Sequence, residues 1–297
     1  MSTTWGQRWR EIHFLKSLAL AAPADRSAAF YDFVEDMFRV VSSNSGIYNY
    51  GYRAKAPGIE AAQQELCRRT AASLPRPGRW LDVGCGVGGP ACLLAGENDE
   101  VSISGINITP VHIERAKERA ASKGLTDRVD FRLGDACAMP FSEGKIFDGV
   151  YAIETAFHYA DRVAFLREAA RVLKPGGRFA CADVVSRPEG VRLADRVALP
   201  WIHRLLAVSE MYSLAQWRES LAAVGFRSIA VEDISIPTLG MAGEWADQIM
   251  AAIPELEERY PRIFLRLMAE IMRQQQKRLH DLPVSYVLVT ATLPSDA

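Results

Sequence analysis

Charge of one sign is missing from this sequence: 35 Lys and Arg stand against 36 Asp and Glu, for a formal net charge of −1 at pH 7. Both signs are scattered along the chain. Without a basic stripe there is no electrostatic footprint for a phosphate backbone, so no nucleic-acid partner is expected. Cysteine is sparse as well. The five residues, at 67, 85, 92, 137 and 181, are dispersed, odd in number and free of any Cys-x-x-Cys pair. That argues against a disulfide framework and a zinc ribbon, and fits reduced thiols in a cytoplasm. The five histidines (13, 112, 158, 203 and 280) are equally spread, so no metal is expected. Long apolar runs are absent too. LALAA (18–22) ends at Pro23, short of the roughly 7–15 residues of a secretory signal. Nothing approaches the roughly 20 residues that cross a bilayer. A cytoplasmic chain without membrane attachment is the expectation.

What is present is apolar material, 49% of 297 residues, enough for a substantial core. In the middle of the chain it alternates between strand and helix patterns. RWLDVG (79–84), VSISGI (101–106), VDFRLG (129–134), FDGVYAI (147–153), RFACADVV (178–185), FRSIAVEDI (226–234) and YVLVTATL (286–293) read as seven strands. Helices are predicted after the first, second and fourth, and over 214–223. Pro110 and Gly124 bound the helix after the second strand, and KPGG (174–177) reads as a turn. Such alternation predicts an α/β fold: a seven-stranded, mostly parallel, Rossmann-like sheet with helices on both faces. The last strand, entered from a loop, is free to run antiparallel. The predicted organisation is a helical N-terminal segment or lid (1–70), a core (71–186), a cap insertion (187–213), a continuation of the core (214–236), a helical cap insertion (237–282) and a closing strand (283–297). In the second insertion Leu256, Ile263, Leu267 and Ile271 form an apolar stripe predicted to pack against the sheet.

WLDVGCGVGG (80–89) holds glycines at 84, 86 and 89, spaced as G-x-G-x-x-G. Such a turn lets the backbone approach a ligand where a Cβ would intrude. A dinucleotide site would put an acid at the end of the second strand to hold a ribose. Here that place is Asn107, an amide. Asp82, two residues ahead of the first glycine, would repel a pyrophosphate but suits a cationic amino group. That favours S-adenosylmethionine, with its α-amino group and sulfonium, over a nicotinamide dinucleotide. A carboxylate bonded only to loop amides remains an alternative.

LDVGCGVGG resembles the first motif of the class I S-adenosylmethionine-dependent methyltransferases. GDACAMPF (134–141), FDGVYAIETAFHYAD (147–161) and VLKPGGRF (172–179) are similar to that family's adenine-reading loop, fourth-strand region and run into the fifth strand, in the same order. IYNYGYR (47–53), GINITPVHIERAKERA (105–120) and LPVSYVLVTATLP (282–294) extend the resemblance to a narrower group, the sterol, tocopherol and erythromycin-type sugar methyltransferases. Arg53 stands where that group usually has Trp. The resemblance implies that Asp82, Gly84 and Gly86 cradle the methionine part of the cofactor. Asn107 and Ile108 face the ribose, Asp135 and Ala136 read the adenine, Tyr50 closes over the site, and Glu154 touches cofactor or acceptor.

Methyl transfer from a sulfonium is an in-line displacement, so alignment and exclusion of water matter most. An alcohol acceptor must also lose a proton, which a histidine can take near neutrality. His158, just past the fourth strand, is the candidate base, and packing against the cofactor is its structural alternative. Asp183 at the end of the fifth strand is a candidate to orient it, and Glu154 is the third candidate catalytic group. Trp201, Met211, Tyr212 and Trp245, with His203, Trp217 and Met241, are candidate walls of an apolar acceptor pocket. The expected activity is methylation of a small, largely apolar natural-product-type metabolite, at oxygen. Three alternatives remain: methylation at an electron-rich carbon or nitrogen, a nicotinamide-dependent oxidoreductase, and a binding protein without catalysis. The expected partner is the small acceptor, and a homodimer is an admissible assembly.

Overall fold

The computed structural model describes residues 23–42, 44–53, 57–187, 203 and 207–295. At its centre lie β1 (Gly78–Val83), β2 (Val101–Asn107), β3 (Val129–Leu133), β4 (Phe147–Ile153), β5 (Leu173–Ser186), β6 (Arg227–Asp233) and β7 (Val284–Thr292). They form one seven-stranded sheet in the order β3-β2-β1-β4-β5-β7-β6. All pairings are parallel except those of β7, which runs antiparallel between β5 and β6. Residues 174–177, read from the sequence as a turn, are taken up within β5. Phe147 pairs with Leu173 and Gly149 with Arg178, so the extra residues bulge between two registers.

Strand periodicity divides the core in two. Leu81 and Val83, Val150 and Ala152, Phe179 and Cys181 are buried on one face. Trp80, Tyr151 and Ala180, at the alternate positions, are buried on the other. The first face is covered by α5 (Arg162–Val172) and α6 (Leu214–Val224), the second by α2 (Ile59–Ala71), α3 (Gly89–Glu97) and α4 (Pro110–Ser122). The helix ends follow from local chemistry. Asp161 accepts from the Ala164 amide at 2.8 Å, Ser213 and Gln216 close a capping box, and Gly124 ends α4 at φ +66°.

A separate helical layer lies beyond the sheet. Val34, Met37 and Val41 of α1 (Pro23–Val41) pack with Trp245, Ile249 and Ile253 of α8 (Ala242–Leu256) and Leu265, Met268 and Ala269 of α9 (Arg262–Lys277). A short helix, α7 (Ser235–Leu239), precedes α8. The apolar stripe expected in this insertion is corrected. Leu256 is buried, but Ile263 and Leu267 are 76% and 54% exposed. The run Phe264-Leu265-Arg266-Leu267-Met268 carries apolar residues on two helical faces, and the face with Leu265, Met268 and Ala269 meets α1 and α8. No helix among the described residues is long and apolar enough to cross a membrane.

The third motif glycine serves this packing. A Cβ on Gly89 would stand 2.2 Å from the Gly46 carbonyl oxygen, a backbone atom that cannot swing away. Gly89→Ala is therefore expected to cost about 1–3 kcal/mol through overpacking, read as a lower urea midpoint with an unchanged m-value.

Candidate active site

The carboxyl ends of β1 to β4 converge on a cavity of about 210 Å³, the edge of an open α/β sheet where ligands bind. Gly84 follows β1, Asn107, Ile108 and Thr109 lie at the end of β2, and Gly134 to Cys137 follow β3. The turn after β4 contributes Thr155 and the run from His158 to Asp161, and α1 reaches in with Tyr31. Of the residues predicted from sequence, Gly84, Asn107, Ile108, Asp135, Ala136 and His158 line this cavity.

Gly84 has φ +76°, and a Cβ there would meet Thr155 Oγ1 at 2.2 Å, so only glycine lets the first turn lie against the loop after β4. Asp82, two residues before Gly84, does not itself line the cavity; it is 2% exposed, and its Oδ2 is buried without a hydrogen-bond partner. Burial pushes the carboxyl up to about 7, and the Tyr151 hydroxyl, paired in register on β4, acts against the shift. Asp135 accepts from the Cys137 amide at 2.8 Å, which tightens the loop after β3.

His158 ends a 3-10 turn (Ala156–His158) and is 6% exposed. Its Nδ1 lies 2.9 Å from the Ala207 carbonyl oxygen and its Nε2 2.9 Å from the Tyr31 hydroxyl. A carbonyl only accepts, so Nδ1 carries the proton and Nε2 presents its lone pair to Tyr31. Desolvation holds the imidazole down to about 4, against the bond to Ala207, so the ring is neutral. Ser209 fixes the turn from outside, donating its hydroxyl to the His158 carbonyl at 2.7 Å.

Other predicted residues lie elsewhere. Asp183 does not reach His158, whose Nδ1 is taken by Ala207. It is fully buried 4.0 Å from the Arg162 guanidinium, which stacks over Tyr212 at 4.4 Å. Burial pushes Asp183 up to about 7, with Arg162 opposing. Glu154 accepts the Tyr50 amide at 2.6 Å and the Tyr286 hydroxyl at 2.8 Å, and burial raises it to about 8. It thereby ties the aromatic N-terminal segment to the end of β4. Tyr50 is off the cavity wall. Its hydroxyl donates to Gln275 at 3.2 Å, and its carbonyl accepts the Trp245 indole N–H at 3.1 Å. Trp245 therefore belongs to the helical layer, while Tyr212 and Trp217 pack in the sheet core. Met241 is buried with the helical layer, Met211 is half-buried off the cavity, and Gly86, at φ +52°, does not line it either. Trp201 lies outside the described residues.

Tyr31, Thr109, Thr155 and Tyr159 were not foreseen. Tyr31 sits some fifty positions before the glycine turn (84 − 31 = 53) in a helix without a motif. Its only signal was the apolar spacing of Phe30, Val34, Met37 and Val41, which sets that helix's buried face.

The donor set suits S-adenosylmethionine. An unpartnered buried carboxylate oxygen matches an ammonium, Asn107 can meet ribose hydroxyls, and the loop after β3 offers an acceptor and backbone to adenine. Among the described residues no group of His, Cys, Asp and Glu is placed to hold a metal ion.

Comparison with known proteins agrees. Residues 81–181 match a family described as "Methyltransferase domain". The chain is 32% identical over 276 residues to methyltransferase GfsG of Streptomyces halstedii, covering 89% of this chain and 93% of that one. It is 39% identical over 181 residues to 27-O-demethylrifamycin SV methyltransferase of Amycolatopsis mediterranei, covering 60% of this chain and 65% of the relative. Among solved structures, the [4+2]-cyclase SpnF superposes with a TM-score of 0.77 at 29% identity, over 91% of this chain and 96% of that one.

Proposed function

Because the chain belongs to the class I S-adenosylmethionine-dependent methyltransferases, acting on small molecules of natural-product type, we propose that it methylates a hydroxyl oxygen of a largely apolar metabolite, with His158 as the base. The single observation that carries this reading is the orientation of His158: a neutral ring whose Nδ1–H is anchored on Ala207 and whose Nε2 lone pair accepts from the Tyr31 hydroxyl, both residues lining the cavity. The rifamycin relative, named for an O-methylation, supports oxygen as acceptor.

When bound, S-adenosylmethionine supplies a methyl group on a sulfonium, displaced in line by the acceptor. The chain's own part is to bind, align and take up a proton. Asp82 holds the ammonium, and the turn at Gly84 and Gly86 admits the methionine part. Asn107 and Ile108 meet the ribose, Asp135 and Ala136 the adenine. The Tyr31 hydroxyl, which donates to Nε2 at 2.9 Å, marks the place that an acceptor hydroxyl takes when it displaces Tyr31 and gives up its proton. Glu154 acts by tying the N-terminal aromatic segment to the end of β4 through Tyr50 and Tyr286, and Asp183 by pairing with the buried Arg162.

An imidazole held near 4 is a weak base, and that observation favours one second reading. A carbon or nitrogen acceptor, electron-rich already, needs no strong base before attack. The test supplies S-adenosylmethionine with an isotopically labelled methyl group and a panel of hydroxylated macrolides, indoles and prenyl alkenes. The carbon chemical shift of the transferred methyl is expected in the methoxy range. A methyl on carbon or nitrogen as the sole product overturns the oxygen assignment.

A further inference from the structure

The helix that carries Tyr31 also carries Glu35, one turn later and on the same face. Glu35 is 7% exposed, a buried carboxylate on an otherwise apolar packing surface. It is ion-paired with Arg115 of α4, and its Oε2 lies 3.9 Å from His112 Nε2 on the same helix. His112 is 2% exposed, and its Nδ1 lies 3.2 Å from the Asn107 side-chain nitrogen. The Tyr31 ring stands edge-on to both histidines, with centroids 5.3 Å from His158 and 6.2 Å from His112.

The chemistry of each group fixes the direction of this chain. The Asn107 NH₂ group meets His112 Nδ1, so Nδ1 accepts and the ring proton sits on Nε2, which lies at ion-pair rather than hydrogen-bond distance from the Glu35 carboxylate and is favoured there by its charge. The negative charge of Glu35 behind Nε2 favours this tautomer and so this orientation of the Asn107 amide. Its carbonyl oxygen, the acceptor, is left for the cavity that Asn107 lines. A ribose diol offers two donors to such an acceptor. An Asn turned the other way would present donors instead and lose that preference.

From this geometry we infer that Glu35 and His112 are positioning residues that set the Asn107 amide to accept from the cofactor's ribose hydroxyls, so that ribose recognition depends on the docked N-terminal helix. The inference rests on the assignment of Asn107 to the ribose. Neither residue touches the ligand; both act through Asn107.

Calorimetry with S-adenosylhomocysteine and its 2′,3′-dideoxy analogue tests it. The wild-type protein is expected to prefer the ribose form. His112→Phe and Glu35→Ala are expected to weaken that form by about tenfold, roughly 1.4 kcal/mol, and the dideoxy form by less than about twofold. Glu35→Asp, which keeps the negative charge facing Nε2, is expected to restore most of the preference, and Glu35→Gln, which removes it, is not. Combining His112→Phe with Asn107→Ala should add nothing beyond Asn107→Ala alone, the signature of one coupled network. In turnover, KM for the cofactor rises while kcat stays within about twofold. If His112→Phe and Glu35→Ala weaken both ligands equally, or leave the preference intact while Asn107→Ala abolishes it, the positioning role is wrong and the ribose assignment stands. If Asn107→Ala also leaves the preference intact, the ribose assignment fails and the inference falls with it.

Discussion

Replacing His158 with alanine is expected to lower kcat by roughly 10²–10⁴, the usual range for removing a positioned general base, and to change the Kd for S-adenosylhomocysteine far less. The expectation follows from how the ring is held. Its Nδ1–H is anchored on the Ala207 carbonyl, so the tautomer is fixed before any acceptor arrives, and Nε2 points where a hydroxyl can sit. The low basicity that burial imposes is compatible with this role. As the methyl leaves, the positive charge on sulfur disappears, and the proton arriving at Nε2 restores one positive charge nearby. Net charge within the buried site is conserved through the step. The pH profile carries the same signature. A base held down to about 4 stays neutral and active through the range in which an ordinary histidine would protonate. The kcat of the wild-type enzyme should therefore show no acid limb near pH ~6.5 and fall only as pH approaches about 4. Stopped-time assays across that range, with the acceptor identified by the labelling panel, check both points. Turnover of His158→Ala at the wild-type rate would remove His158 as the base and favour a carbon acceptor.

The sheet was legible because its signals are local. Apolar positions alternate along each strand, and proline or glycine brackets the helices between them. The antiparallel entry of β7 was left open, because residues 234–283 that lead into it carry α7, α8 and α9, and only their docking returns the chain between β5 and β6. Cavity residues were legible where they fall within a few positions of a strand end, as Asn107, Asp135 and His158 do. Tyr31 and Glu35 were not, because their placement comes from docking one amphipathic helix across the finished sheet. Tyr212 and Trp245 were misplaced for the converse reason. Large aromatics in an insertion suit a pocket wall and a core equally well, and only the tertiary packing, with Arg162 under Tyr212 and the Tyr50 carbonyl on Trp245, decides between them. The partner of His158 was likewise unreadable. A backbone carbonyl forty-nine positions away (207 − 158) holds Nδ1, and backbone groups leave no trace in residue identity.

Asp82→Ala is expected to raise the Kd for S-adenosylhomocysteine by about 10²–10³, since stranding one member of a buried ion pair costs roughly 3–5 kcal/mol. In the free protein only the Tyr151 hydroxyl acts against the burial of this carboxylate, and the group is held up to about 7. A carboxyl raised above its unfolded value contributes stability at low pH that is lost as pH climbs from about 4 to about 7. Asp82→Asn should therefore raise the melting temperature of the free protein at about pH 8, where the native residue is charged, while weakening the ligand. A residue of purely structural value would move both quantities the same way. The ammonium pairs with the ionised form, so wild-type affinity should strengthen by up to about tenfold per pH unit below about 7 and level off above it. Asp82→Asn should flatten that dependence. The charge on position 82 also separates ligand classes. Removing it would relieve repulsion of a pyrophosphate and leave binding of a dinucleotide unchanged or improved. Calorimetry on Asp82→Asn at two pH values thus tests the sign of the ligand's charge at this turn, and a gain in affinity would contradict an ammonium there.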